Sequence, residues 1–444
     1  MGNKGSSRHS YSASEIEALK GPFSDSEFDC LEALADATCS NREAFEEHFS
    51  LSVPQDKEDM PVLVNFGASL YTAFLHITDE PVTTELTMPH LAKAAALCIR
   101  SSSSSILRCL WAVFDPTLEQ DLNDNQLHQL FTAVLLMADV EKDTEKKIND
   151  YVNTANSMVA SFQLSATEVT LLHLTTWASR TFPLMHTIFS TWMSKKCFKS
   201  MPSTRTSYST PELSHASDIL SRGEAIVLSG QSAQLQNQWD RLYTSTQDGL
   251  SFNRLCYHLL GYSGPTLIVC TATDGATFGA YCDTPWRDQS KFFGGPGCFL
   301  YRLRPNLLVC PSSGQSGTNY MYFNTKGVAL PRGLGLGGTT SKCRLFFDED
   351  LDDCYTALKC NTFEQGSITL RASFQIQTLE IWGCGGEESK MAQKGYRAET
   401  AELINKARKV DKSQFVNNGF DREMFLGKTF GHGTDAARIA DDEH

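Results

Sequence analysis

The chain has 444 residues, of which 41% are hydrophobic and 20% charged, with a formal net charge of -13. This is a core-forming composition long enough for two or three domains, and its acidic balance with no aromatic-interleaved basic stripe argues against nucleic acid as a partner. The longest apolar windows, Leu130 to Ala138 and Leu91 to Ile99, fall well short of the roughly 20 residues that cross a bilayer, and no apolar leader opens the sequence.

The fourteen cysteines are therefore expected as thiols in a reducing compartment. They are scattered without any C-x-x-C pair, which excludes zinc-ribbon and thioredoxin-like spacings and leaves small buried hydrophobes as their expected role. No cofactor is implied.

In chain order, MGNKGSSRHS comes first and fits the N-myristoylation pattern M-G-x-x-x-[ST], with Gly2 as the acceptor amine and Ser6 at the required position. One acyl chain gives marginal membrane affinity, and the only helpers nearby are Lys4, Arg8 and His9, so attachment would be reversible or partner-assisted. The competing reading of residues 1–13 is an ordinary flexible start.

Residues 14–198 carry a helical pattern, with apolar side chains recurring at three and four, as in Phe28, Leu31, Leu34 and Leu127, Leu130, Phe131, Val134, Leu135. Seven to nine helices are expected. Ser165 to Glu168 reads as a capping box opening a helix that Pro183 ends, and the serine run 101–105 as a loop and helix cap. Six histidines (His48, His76, His90, His128, His173, His186) occupy this half without metal-ligand spacing.

The stretch LWAVFDPTLEQDLNDNQLHQLF has the helix–loop–helix outline of an EF-hand. Its ligands do not follow: the sixth loop position holds Gln120 instead of glycine, and the twelfth holds Gln126, whose amide cannot act as a bidentate carboxylate. Asp115, Glu119 and Asp121 could still offer oxygens, so a degenerate, EF-hand-like scaffold is expected, with a calcium-responsive adaptor as the alternative.

Residues 199–214 are rich in Ser, Thr and Pro and read as a linker. Beyond it the texture becomes β-rich. GPTLIVCTATDGATFGAYCDTPW holds two strand-like runs around Asp274-Gly275, a hairpin signature, and CFLYRL, NLLVC, YMYF, CRLFF, SITL and FQIQTLEIW follow as short runs bounded by turn formers. Such spacing predicts an antiparallel sandwich. The glycines of LPRGLGLGGTT match G-x-G-x-x-G, but only Thr339 to Lys342 separate them from CRLFF, which leaves no room for a crossover helix, so the run is expected to be a glycine-rich connection between strands and not a nucleotide cradle.

That order of runs resembles a TLDc domain over 215–385: GPTLIVCTATDGATFGAY, Trp286, YMYFN, GLGLGG, the Cys360-x-Thr362-Phe363 element and LEIW with Glu380. With the Met-Gly start and helical front half, the chain is similar to the mTOR-associated, eak-seven-like TLDc proteins. The resemblance implies an α+β protein: a helical EF-hand-like front, a two-sheet β-sandwich with flanking helices, and a C-terminal helix. It further implies a cytoplasmic protein held peripherally on lysosomal or endosomal membranes, supporting TOR signalling through TOR complex components, with a TLDc domain that binds vacuolar proton-pumping ATPase subunits. TLDc proteins more broadly imply oxidative-stress resistance.

Catalytic chemistry has little support in the residues. No histidine lies between His258 and His432, and G-x-S-x-G is absent, so neither a histidine base nor a serine-hydrolase elbow can be built inside the sandwich. Gly264, Gly279, Gly335 and Gly337 fit tight turns or close backbone approach. Glu380 reads as a structural carboxylate holding a loop, and Cys360 as a buried thiol, with thiol redox chemistry as the alternative.

Residues 386–444 combine a mixed-charge helix over about 387–412 with a Gly-rich tail bearing Phe420, Phe425 and Phe430. Aromatics in a segment unable to form its own core suggest a docking motif.

Overall fold

A computed structural model of the chain describes residues 13–51, 66–81, 83–139, 148–165, 169–198, 208, 210–315, 319–327 and 329–417. Ten helices occupy the described front half: α1 (Ala13–Lys20), α2 (Asp25–Thr38), α3 (Arg42–His48), α4 (Phe66–His76), α5 (Met88–Arg100), α6 (Ser103–Ala112), α7 (Asp124–Ala138), α8 (Ile148–Ser165), α9 (Leu171–Thr181) and α10 (Met185–Cys197). The number exceeds the expected seven to nine because α1 and α3, at eight and seven residues, are too short to show a full apolar stripe.

Local chemistry fixes several starts. Ser24 and Glu27 form a reciprocal capping box on α2, Asn123 and Gln126 another on α7, and Ser102 of the serine run caps α6 through the Ser105 N–H. The Ser165 capping box is corrected: Ser165 is the last residue of α8, its hydroxyl donating to the Phe162 carbonyl, and Thr170 caps α9 instead. The apolar residues of α8 reach Phe162, one turn before Ser165, so packing carries that helix through the serine.

α7 is the central helix, with every residue from Leu127 to Met137 buried. Elsewhere in the bundle Phe45, Phe49, Phe74 and Trp192 pack on one another edge-on or tilted. Complete burial of each such side chain contributes about 1.5–3 kcal/mol of transfer free energy, which is what stabilises a bundle of short helices.

The second half begins with α11 (Arg222–Ser229), capped by a Ser221/Glu224 box, and a 3₁₀ turn at Ala233–Gln236. β1 (Asp240–Thr244), α12 (Ser245–Asp248) and α13 (Phe252–Leu259) lead to the strands β2 (Thr266–Ala272), β3 (Thr277–Cys282), β4 (Gln289–Phe293), β5 (Phe299–Arg304), β6 (Leu308–Cys310), β7 (Met321–Asn324), β8 (Gly333–Thr339), β9 (Lys342–Asp348), β10 (Cys354–Thr356), β11 (Ser373–Phe374) and β12 (Ile376–Gly383). They form two six-stranded sheets, ordered β1-β12-β2-β3-β5-β6 and β11-β10-β9-β8-β7-β4. Every named pairing is antiparallel.

Asp274-Gly275 makes the turn of the β2–β3 hairpin, with Gly275 at φ +86 and Ala272 bonded to Ala276. Two expectations fail. SITL is no strand: Ser367 and Thr369 turn their hydroxyls onto the Thr369 and Arg371 carbonyls, and Leu370 is exposed. GLGLGG is not a connection but β8 itself, paired with β7 and β9 on its two sides.

Two cores result. Ile268, Cys270, Phe278, Ala280 and Leu300 of the first sheet meet Met321, Phe323, Leu334, Leu336, Leu345 and Phe347 of the second inside the sandwich. On its other face the first sheet offers Leu267, Val269, Tyr281, Phe299, Tyr301 and Trp382, which join one hydrophobic cluster with α11 and the helical bundle.

α14 (Gly386–Asn417) is a 32-residue helix, and from Glu387 it belongs with Gly261–Ser263 to a second compact unit. Gly261, at φ +82, lies under the Tyr396 ring where no Cβ would fit. Along the helix Met391, Tyr396, Leu403 and Ile404 are exposed, and ion pairs Glu387–Lys390 and Glu402–Lys406 follow its surface.

Candidate functional site: a cross-strand row facing the helical half

Glu380 and Gly279 lie in one row across the first sheet. Thr244 pairs with Glu380, Glu380 with Val269, Val269 with Gly279, Gly279 with Tyr301 and Tyr301 with Val309. Opposed residues of antiparallel strands share a face, and this face is the one turned toward the helical half.

The Glu380 carboxylate is fully buried and accepts three hydrogen bonds: from the Ser217 hydroxyl at 2.5 Å, the Asp218 N–H at 2.8 Å and the Trp382 indole at 3.0 Å. Ser217 in turn accepts from the Ile219 and Leu220 N–H groups. The carboxylate thus ties the loop entering α11 to β12, one strand in from the edge of the sheet. All three donors are neutral groups of the chain itself, so the buried carboxylate is satisfied by internal hydrogen bonds.

Gly279 works by absence. A Cβ there would stand 1.8 Å from the Ile268 carbonyl oxygen and 2.7 Å from the Tyr301 hydroxyl. The bare backbone lets Tyr301 cross β3 and donate to that carbonyl at 2.7 Å.

Beside this row, α11 fastens the two halves. Arg222 pairs with the buried Asp139, which also accepts from Tyr151 at 2.7 Å, and Gly223 fits against Thr154 of α8. Glu224 is almost fully buried, with Arg304 Nε 3.0 Å from its Oε1 but not aligned as a hydrogen bond. Burial pushes its carboxyl above the ordinary range, against the opposing pull of Arg304 and Ser221.

The remaining positions fall elsewhere. Gly264 is buried at the bend before β2. Trp286 is buried outside the strands, its indole N–H donating to Thr266 at 2.8 Å and its ring edge-on to Phe293 and Phe323. Gly335 leaves room for the Cys343 thiol, and Gly337, at φ +66, for the Phe363 ring.

Cys360 joins that second place, accepting from the Phe363 N–H at 3.3 Å. It is half-buried and lies in a loop, which corrects the expected buried thiol. Nearby, Arg344 is fully buried with its Nη2 on the Gly366 carbonyl, while its Nε and Nη1 have no hydrogen-bond partner among the described residues.

In the front half, Asp115 is buried at the end of α6 and accepts from the Thr117 N–H, the Thr117 hydroxyl and the Gln120 N–H. Burial pushes its carboxyl up, but these donors outweigh that and hold it below the usual range. Glu119 and Asp121 are exposed, and Gln126 is spent on the α7 capping box and the Phe114 carbonyl. Among the described residues no group of three His, Cys, Asp or Glu side chains is arranged to hold a metal. Gly2, Glu168, Phe420, Phe425 and Phe430 lie outside the described residues.

Sequence reasoning missed Tyr301, Arg344 and the α11 fastening. The Ser221-x-x-Glu224 box was readable as a helix start, whereas Tyr301 and Arg344 acquire their roles only through strand register.

No described helix is long and apolar enough to cross a membrane. A family model described as the TLDc domain matches residues 213–385. The chain is similar to MTOR-associated protein MEAK7 of Gallus gallus, 31% identical over 168 residues, and of Mus musculus, 32% over 171 residues. These stretches cover 37% and 38% of this chain and 36% of each relative. Nuclear receptor coactivator 7 of Mus musculus is 28% identical over 144 residues, 32% of this chain and 14% of that protein. The matches thus span little more than a third of the MEAK7 relatives, and they lie in the part of the chain where the sandwich is built. Residues 213–385 are a TLDc domain, homologous to that of MTOR-associated protein MEAK7.

Proposed function

We propose that this chain is a non-enzymatic regulator in TOR signalling, held peripherally on lysosomal membranes by an acylated Gly2, whose TLDc domain binds the vacuolar proton-pumping ATPase. The observation that carries this reading is the TLDc match together with MTOR-associated relatives over the same residues. The site geometry supports a binding role: Glu380, Gly279 and Trp286 are committed to internal bonds and packing. His258, at the edge of the sandwich, stands 3.5 Å from Asp248 on a partly exposed corner formed by α12 and α13.

In this reading the fastened front half and sandwich present one rigid surface to a partner, and Phe420, Phe425 and Phe430 add a docking segment. Affinity purification of the tagged full chain from lysosomal membranes tests it. Recovery of ATPase subunits and TOR components is expected, each lost or weakened when residues 213–385 are deleted. Recovery of neither with an intact protein would sink the proposal.

A further inference from the structure

Between α1 and α5 lies a cavity of about 220 Å³. Ala18, Leu19 and Pro22 form one wall, and Pro89, Ala92 and Ala96 the other. Leu19 and Ala92 belong to a small cluster with Phe28, separate from the main core of the bundle. The space exceeds the roughly 150 Å³ that holds a benzene-sized molecule in a protein interior. Six of its nine lining residues are apolar and the other three are Glu15, Glu80 and Lys93, a lining that suits a hydrocarbon chain carried on a polar attachment.

The chain supplies a candidate at that place. Residues 1–12 join directly to α1, which forms one wall. The eleven steps from Gly2 to Ala13 could reach about 36 Å when extended, whereas eight-residue α1 is only about 12 Å long, so the segment can double back along it. Residues 1–12 contain Lys4 and Arg8 and no acid, and Glu15 and Glu80 line the cavity with Lys93, which pairs with Glu80 and with Asp79 beside it.

We infer that the α1–α5 cavity receives the distal part of a fatty acyl chain carried by Gly2, so that the chain exchanges between a sheltered state and one inserted in membrane. The inference rests on acylation of Gly2, proposed above. A single exposed acyl chain gives only marginal membrane binding, so competition from an internal site of modest affinity is enough to control it. If the cavity holds the chain nine-tenths of the time, membrane binding is weakened about tenfold.

The test uses the full chain co-expressed with an N-myristoyltransferase, its mass verified, and sedimented with phosphatidylcholine–phosphatidylserine vesicles. Ala96→Phe and Ala18→Phe fill the cavity from opposite walls. Each is expected to raise the vesicle-bound fraction several-fold toward the tenfold limit, and to change nothing in a Gly2→Ala background. An unmodified Gly2 by mass would overturn the acylation reading and this inference with it. Confirmed acylation with unchanged partitioning in folded variants would overturn the cavity alone. Independently of any cavity variant, a ¹³C-labelled acyl chain on the wild-type protein should show nuclear Overhauser contacts to the Ala92 and Ala96 methyl groups without vesicles, and their absence would also overturn it.

Discussion

The Tyr301 hydroxyl passes over Gly279 to reach the Ile268 carbonyl, so a bond spanning three strands exists because the middle residue has no side chain. Gly279→Ala must displace the phenol and push on the Ile268 backbone. Overpacking of this kind costs about 1–3 kcal/mol, and the lost hydrogen bond adds about 1 more. Tyr301→Phe should cost only about 0.5–1.5 kcal/mol. Urea unfolding of the two single variants and the double variant measures the coupling, and fully additive losses would show that the two residues do not meet.

Glu224 gives the fold a pH signature. Its carboxyl is raised in the folded chain, first by burial, so the folded state holds a proton that the unfolded state has already released. Its contribution to stability therefore falls as pH rises from the unfolded carboxylate value, about 4.3, through the raised folded one. Glu224→Gln removes this titration. The difference in melting temperature between variant and wild type should move in the variant's favour as pH rises across that window, and then level off. A difference that stays constant with pH would refute the assignment.

The thiols divide by access. Burial pushes Cys197, Cys256 and Cys298 up to about 12, and holds Cys98, Cys270 and Cys282 well above the ordinary thiol range. Cys30, Cys39 and Cys360 are only half-buried, and of these Cys39 is also pushed up to about 12, first by burial. Since the thiolate is the nucleophile, iodoacetamide on the native chain should label Cys30 and Cys360 first. Peptide mass spectrometry over a time course checks the order, and early labelling of Cys270 or Cys282 would contradict the packing of the sandwich.

Much of this architecture was legible because it follows local rules. Asp274-Gly275 forces a hairpin, Ser102 and the Asn123/Gln126 pair start helices, and the change from helical to strand-like texture falls where the front half gives way to the sandwich. What could not be read depends on register. GLGLGG appears turn-forming by composition, yet it is held in a strand by Cys343, Phe346 and Phe363 filling the places of absent side chains. β4, with the polar sequence QSKFF, occupies a sheet edge where no alternating pattern is required. The row through Glu380, Gly279 and Tyr301 joins residues far apart in sequence, and no spacing announces it.

The helix–loop–helix of α6 and α7 yields the last prediction. Asp115 is bonded by Thr117 and Gln120 within its own loop, and the Gln126 side chain closes the same loop onto Phe114. The carboxylate is already satisfied by protein donors, so a calcium ion would have to displace them with little else to coordinate it. Asp115→Ala removes the charged acceptor of three hydrogen bonds and should cost about 1–3 kcal/mol. The loss should be the same in millimolar calcium and in chelator. Thermal unfolding under the two conditions measures it, and a wild-type melting point that rises with calcium while the variant's does not would restore the loop as a metal site.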